Sequence, residues 1–352
     1  MVLHIFNPEH DIALAANLSN FTAPHAGCQL RHDLGYLPAL WADGNDYVLV
    51  ENVEDARRDF ARVMHRTFDR FVDKRQLEKL DITRVEPWGW DLSLRSFLLR
   101  YGVKAVPTEE EIAVIRDLSH RKYAVDLLRE LEFEGTTGKS WRTDLMSEVE
   151  QSLQSYRRIV VKAPWSSSGR GVRFLDNNFN GYQRRWIKNV IASQGSVVIE
   201  TYCHRVKDFG MEFESDGKGT VRYLGLSFLH TQNGAYTGNI LAAEEEKQEM
   251  INRYISENLL NSIREKICTI LGALYKGKYA GPFGVDMMVV RGDDNVQSSM
   301  FNGPFLLNPC VEINLRRTMG HVALELSKQC PSGHVMRVDY SDNTYKLKIK
   351  QI

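Results

Sequence analysis

LNPCVEINLRRTMGH, from Leu307 to His321, reads as a β-strand that sets an acid and an amide side by side and then runs at once into two arginines. Side chains alternate faces along a strand, so Glu312 and Asn314 point one way while Val311, Ile313 and Leu315 point into a core. Carboxylate and amide oxygens on one face suit a hard divalent cation such as Mg²⁺, which takes oxygen ligands and keeps company with phosphates. Arg316 and Arg317 then offer planar donors to phosphate or carboxylate oxygens. By itself the pattern fits a half-buried strand with a polar outer face equally well.

At 352 residues the chain has room for two or three domains, since a domain runs to about 100–200 residues. A content of 43% hydrophobic and 26% charged residues is that of a soluble globular protein. Lysine plus arginine equals aspartate plus glutamate at 45 each, so no global charge draws the chain to nucleic acid or to a membrane. No apolar run approaches the ~20 residues of a membrane span, and MVLHIFNPEH opens without a signal-peptide pattern. The five scattered cysteines show no CxxC spacing, so neither a disulfide framework nor a cysteine zinc site is indicated, and a reducing cytoplasm is the expectation. Nothing in the sequence decides for or against a homo-oligomer.

Hydrophobic periodicity predicts strands at Val2–Phe6 and Tyr47–Glu51, a helix within Asp55–Phe71, and a helix at Leu92–Leu99 stopped by Tyr101-Gly102. Pro107-Thr108 followed by Glu109 to Glu111 marks a boundary and a new helix start. Further on come a polar helix over Asp144–Tyr156 and strands at Ile159–Lys162, Val172–Leu175, Val197–Glu200, Tyr223–Leu229 and Val285–Val290. Ile251, Ile255, Leu259, Ile263, Ile267 and Leu271 recur every four residues and predict one long helix from Glu244 to Tyr275.

Within this frame, RIVVKAPWSSSGRGVRFL (Arg158–Leu175) is strand, polar loop, strand. Its loop, Ser166, Ser167, Ser168, Gly169, Arg170 and Gly171, can turn backbone N–H groups toward phosphate oxygens. Lys162 stands at the strand end just before it. A plain glycine-containing hairpin is the simpler reading of that loop. VVIETYC (Val197–Cys203) can lay backbone donors and acceptors beside an adenine edge, with Asp208 following; alone it is an edge strand entering a turn. Asp286 lies on a strand shortly before the Glu312 segment. Gly138-Lys139-Ser140 is no P-loop, since Phe133 stands where its first glycine belongs, and Asp208-Phe209-Gly210 lacks a kinase catalytic loop before it. HTQNGAYTGN, His230 to Asn239, reads as a polar turn, or as a segment whose His, Asn, Tyr and Thr contact substrate.

A lysine at a strand end, a Ser/Gly loop, a Glu-containing hinge strand, an Asp on a strand and Glu-x-Asn on the next: in this order the parts resemble the ATP-grasp superfamily. The resemblance covers Thr108 to Leu326. It implies an α+β fold in which two subdomains clamp ATP, preceded by an α/β pre-grasp domain. The expected division is 1–107 pre-grasp and 108–352 ATP-grasp, with a lid subdomain at about 120–203 and a C-terminal subdomain at about 204–352. Carried over by position, Lys162 resembles the phosphate-contacting lysine and Ser166–Gly171 the lid. Glu200, Thr201, Tyr202 and Cys203 are similar to the adenine hinge, and Asp208 falls near the ribose-binding acid. Lys122 is the match to an earlier phosphate lysine, although the aspartate that usually precedes it is missing. Asp286, Glu312 and Asn314 match the magnesium ligands, and Arg316 or Arg317 the substrate arginine.

The resemblance implies an ATP- and Mg²⁺-dependent enzyme, with Mn²⁺ as a substitute ion, that joins a small-molecule carboxylate to an amine or thiol through an acylphosphate. Arg316, Arg317 and Lys162 would act in catalysis by offsetting charge rather than as nucleophiles. Two rivals stand beside it: a phosphotransferase on the same fold, and a nucleotide-binding regulatory protein without turnover.

Overall fold

A computed structural model describes residues 1–166, 171–232, 235–292, 305–330 and 332–351. The loop residues Ser167, Ser168, Gly169 and Arg170 therefore lie outside the described residues. The chain divides into two compact units: residues 1–116, 225–244 and 315–352 form unit 1, and residues 117–224 and 245–314 form unit 2. Neither the division expected near residue 107 nor the one expected near residue 203 bounds these units, because segments distant in sequence share unit 1's core.

Unit 1 opens with a four-stranded parallel sheet in the order Phe71–Val72, Tyr47–Leu49, Val2–Ile5, Arg84–Pro87. Parallel strands are covered on both faces and so read as continuous apolar runs. On one face Leu3, Ile5, Val72 and Val85 pack with Leu94 and Leu98 of the helix Leu92–Arg100. On the other, Phe6, Val48, Phe60 and Trp88 share a core with Leu241, Val322, Leu326, Met336 and Leu347. The last four belong to the helix Met319–Ser327 and the antiparallel hairpin His334–Ser341/Thr344–Gln351, which is how the C-terminal segment joins unit 1. Side-chain caps set the helix starts: Asn52 accepts from the N–H groups of Glu54 and Asp55, and Asp91 from those of Ser93 and Leu94. Val103–Val106, a short apolar run, forms no strand; Val103 is buried after the helix that ends at Arg100. The strand Val221–Gln232 starts in unit 2 and continues in unit 1, where it turns into Ala235–Leu241 as a hairpin.

Unit 2 contains an antiparallel sheet in the order Ser140–Thr143, Val197–Thr201, Ile159–Lys162, Val172–Leu175. The helices Met146–Tyr156 and Gly181–Gln194 cover it through Val149, Ile187 and Val190, which meet Ile159, Val161, Val197 and Ile199. Its second sheet sets Ala280–Arg291 between Phe305–Asn314 and Arg205–Asp216, all antiparallel. The single helix expected over Glu244–Tyr275 is two, Glu244–Asn252 and Glu257–Tyr275. Ser256 caps the second by accepting from the N–H of Leu259. The apolar spacing runs through the break because Ile255 and Leu260, both buried, occupy the N′ and N4 positions of a hydrophobic staple. Among the described residues no helix is long and apolar enough to cross a membrane.

Candidate active site

Lys162 ends its strand almost fully buried, and its ammonium reaches Glu200 Oε1 at 2.6 Å and the Val311 carbonyl at 3.1 Å. The basic and acidic heads meet because Lys162 and Glu200 lie diagonally on the same face of adjoining antiparallel strands, two pairs apart, with Val160 opposite Glu200 and Lys162 opposite Val198. Val311 in turn precedes Glu312, so the lysine ties the first sheet of unit 2 to the strand that carries the candidate metal ligands.

On the second sheet, Asp286 and Glu312 stand directly opposite each other and Gly284 opposes Asn314. The ladder shifts register between Asp286 and Met288, a bulge of the kind that re-aims side chains at sites. Asn314 Nδ2 donates to Asp286 Oδ2 at 3.0 Å, while Glu312 Oε1 accepts from Arg121 at 2.6 Å. Two carboxylates and a carboxamide oxygen on adjoining strands form a donor set for a hard divalent cation. Among the described residues no three His, Cys, Asp or Glu side chains cluster as a metal site, so the amide would complete the set.

The cation that meets Glu312 is Arg121, not Lys122. Arg121 occupies the N-cap position of the helix Lys122–Glu130 without capping it through its side chain, and is buried; it also donates to the Ala163 carbonyl and to Ser166 Oγ at 3.0 Å. It thus joins the metal-ligand strand to the chain leaving Lys162 and to the first residue of the Ser/Gly loop. Lys122 turns to Asp117 at 2.5 Å instead. The signal for Arg121 was present in Ser119-His120-Arg121-Lys122 as a basic residue at a helix start. Only the side-chain direction separates it from its neighbour.

At the loop's other end, Gly171 accepts from the Ala163 N–H at 2.8 Å. A Cβ there would fall 2.0 Å from Ser166 Oγ, so the loop closes on itself only with glycine at this position.

Beyond Glu200, residues Thr201 to His204 line a cavity of about 720 Å³ together with Lys139, Trp141, Leu306 and others. The Thr201 N–H donates to the Lys139 carbonyl, and Arg158 lies 3.8 Å above the Tyr202 ring. Asp208, on the strand Arg205–Asp216, pairs with Arg205 at 3.0 Å. Burial pushes its carboxyl above the usual range, against the pull of Arg205 and Lys207. Cys310, fully buried on the metal-ligand strand, has its thiol pushed well up by burial and then by the charges of Glu200, Asp286 and Glu312, with Lys162 opposing.

Arg316 and Arg317 belong to unit 1 and have partners there. Arg316 makes a fork to both oxygens of Asp11 at 2.8 and 2.7 Å. Arg317 lies 4.4 Å over the Trp41 ring and 3.9 Å from Glu86.

A scan of protein-family models and a search of curated proteins each give no match. Solved structures do match. A biotin carboxylase–β,γ-ATP complex from Campylobacter jejuni aligns over 92% of this chain and 67% of its own, with TM-score 0.51 and 13% identity. The chain has an ATP-grasp fold. Two other ATP-grasp neighbours align at lower scores. An N5-carboxyaminoimidazole synthetase from Staphylococcus aureus covers 99% of this chain and 80% of its own, at TM-score 0.47 and 12% identity. A putative ATP-grasp superfamily protein from Archaeoglobus fulgidus covers 100% and 99%, at 0.46 and 14%. At such identities the likeness is one of fold, and the ATP-grasp architecture expected from the order of the motifs is the one observed.

Proposed function

We propose that this chain is an ATP- and Mg²⁺-dependent ligase that activates a small carboxylate as an acylphosphate for attack by an amine or thiol. The observation that supports the reading is the convergence, inside unit 2, of Lys162, Arg121 and the Asp286–Glu312–Asn314 oxygens, with Glu200 leading directly into the cavity-lining residues Thr201–His204.

Adenine would lie along the Glu200–Cys203 backbone, and Asp208 would accept from the ribose hydroxyls. Lys162 and Arg121 would hold the phosphates, Arg121 taking the role first expected of Lys122, and Ser166–Gly171 would cover them. Asp286, Glu312 and Asn314 would ligate Mg²⁺, which when bound neutralises phosphate charge. Arg121 would then exchange Glu312 for a phosphate oxygen. A carboxylate oxygen of the acceptor attacks the γ-phosphorus as the bond to ADP breaks. The nucleophile then adds to the acyl carbon, loses its proton, and phosphate leaves with the bonding pair. The chain's own part is positioning and charge compensation. Arg316 and Arg317 would reach a substrate anion only by releasing Asp11 and Glu86.

Glu312→Gln tests this reading: ATP turnover should fall by at least about a hundredfold with circular dichroism unchanged, as expected for loss of a group acting on developing charge. Unchanged turnover sinks the site. Product analysis separates the rival on the same fold, since a phosphorylated acceptor without free phosphate identifies a phosphotransferase.

A further inference from the structure

Tyr202, in the hinge that leaves Glu200, is held by three side chains of unit 2. The helix Met146–Tyr156 ends at Arg157, whose φ of 59° puts a non-glycine residue in the left-handed region. Backbone strain of this kind concentrates at ligand clamps and active sites. Here the turn delivers Arg158 directly to the start of the strand Ile159–Lys162.

Ile159 stands opposite Thr201, so the same antiparallel register, carried one residue further, sets Arg158 beside Tyr202. The exposed Arg158 guanidinium lies 3.8 Å over the Tyr202 ring, where the ring's negative face attracts a cation. Phe174, opposite Val160 on the adjoining strand, meets that ring at 6.4 Å and 76°, and His204 meets it at 5.4 Å and 90°. Both are edge-to-face contacts. By strand alternation Arg158 shares a face with Val160 and Lys162, and Tyr202 shares it with Glu200. Tyr202 and His204 line the cavity of about 720 Å³, whereas Arg158 is not part of its wall.

We propose that Arg158 is a positioning residue for nucleotide binding: it fixes the Tyr202 ring as part of the wall beside the base without itself touching the ligand. The inference rests on the reading that lays adenine along Glu200–Cys203. A surface arginine that only stabilises the fold would not act on ligand affinity through this one ring.

MgADP calorimetry on the full chain tests it, run below the melting temperature of every variant. Arg158→Met keeps the apolar stem and removes the charge; affinity should fall about two- to fivefold, the size of one exposed cation–π contact. Arg158→Lys should recover most of that loss, since a cation is needed and a planar fork is not. In a Tyr202→Leu background, which itself binds more weakly, adding Arg158→Met should cost nothing further. Should Tyr202→Leu fail to fold, Tyr202→Phe takes its place: with the ring retained, Arg158→Met should again cost about two- to fivefold and Arg158→Lys less. The proposal is overturned by wild-type affinity in Arg158→Met, by equal losses in the Met and Lys variants, or by an additive loss in the Tyr202→Leu double variant. If the wild type binds no MgADP, the nucleotide reading itself falls and takes this inference with it. If the wild type binds and Arg158→Met binds equally well, only this inference falls.

Discussion

Replacing Arg121 by methionine removes the one side chain that joins Glu312, Ser166 and the Ala163 carbonyl. Arg121 is 6% exposed and Glu312 is 29% exposed, so the pair is buried on one side and wet on the other. Losing one partner of a fully buried pair costs about 3–5 kcal/mol, and a charge-assisted hydrogen bond contributes about 1.5–3 kcal/mol. Glu312 can rehydrate, so the lower part of that range applies, roughly 2–3 kcal/mol. For a unit of this size that is a fall in melting temperature of roughly 5–10 °C, read by differential scanning calorimetry. If Arg121 also meets phosphate, MgADP affinity by calorimetry falls about 10–100-fold, the equivalent of one lost charge-assisted contact. Arg121→Lys should recover part of the nucleotide affinity but not the three-way tie, since an ammonium lacks the planar fork. Lys122→Met, which removes a pair with the half-exposed Asp117 and a contact over the Tyr123 ring, should change both readouts little. Wild-type stability and affinity in Arg121→Met, or a larger loss in Lys122→Met, would refute the assignment.

Gly171→Ala should destabilise unit 2 by about 1–3 kcal/mol in urea unfolding, the usual cost of overpacking. Adding Ser166→Ala should not restore it, because the new Cβ also meets Ser166 Cβ at 2.2 Å; wild-type stability in either variant contradicts the loop geometry. Asp91 carries a pH prediction. Burial penalises its charge, but the His10 ring 3.7 Å away and the Ser93 and Leu94 donors outweigh that and hold its carboxyl below the usual range. Its folded pKa is therefore below the unfolded one, so its contribution is present above about pH 4 and is lost as pH falls through the folded value. The stability gap between wild type and Asp91→Asn should narrow on acidification through that window; a gap constant from neutral pH to about pH 3 would remove Asp91 as its source.

Much of the candidate site was legible because strand alternation is a local property. Ile313 and Leu315 are buried and Glu312 and Asn314 partly exposed, as alternation predicts, whereas Val311, expected in the core, is also only partly buried; the strand ends at Lys162 and near Glu200 fall within a residue of their expected places. The strand Arg205–Asp216 escaped notice because its first four residues are largely polar and its apolar run of Phe209, Met211 and Phe213 is buried by elements distant in sequence, the strand Ala280–Arg291 and the helix Glu257–Tyr275 among them.

By itself the sequence determined the parts and their order, since period-2 and period-4 patterns, caps and turn residues act through neighbours along the chain. Tertiary structure decided what depends on partners. It put Leu315–Ile352 into the core of the first unit, because Val322, Leu326, Met336 and Leu347 bury their surface against Phe6, Val48 and Trp88. It chose Arg121 over Lys122, adjacent residues of like charge, by which side chain a helix start aims at Glu312. It also left one oxygen of Glu9 buried and without a hydrogen-bond partner among the described residues, which no spacing in the sequence announces.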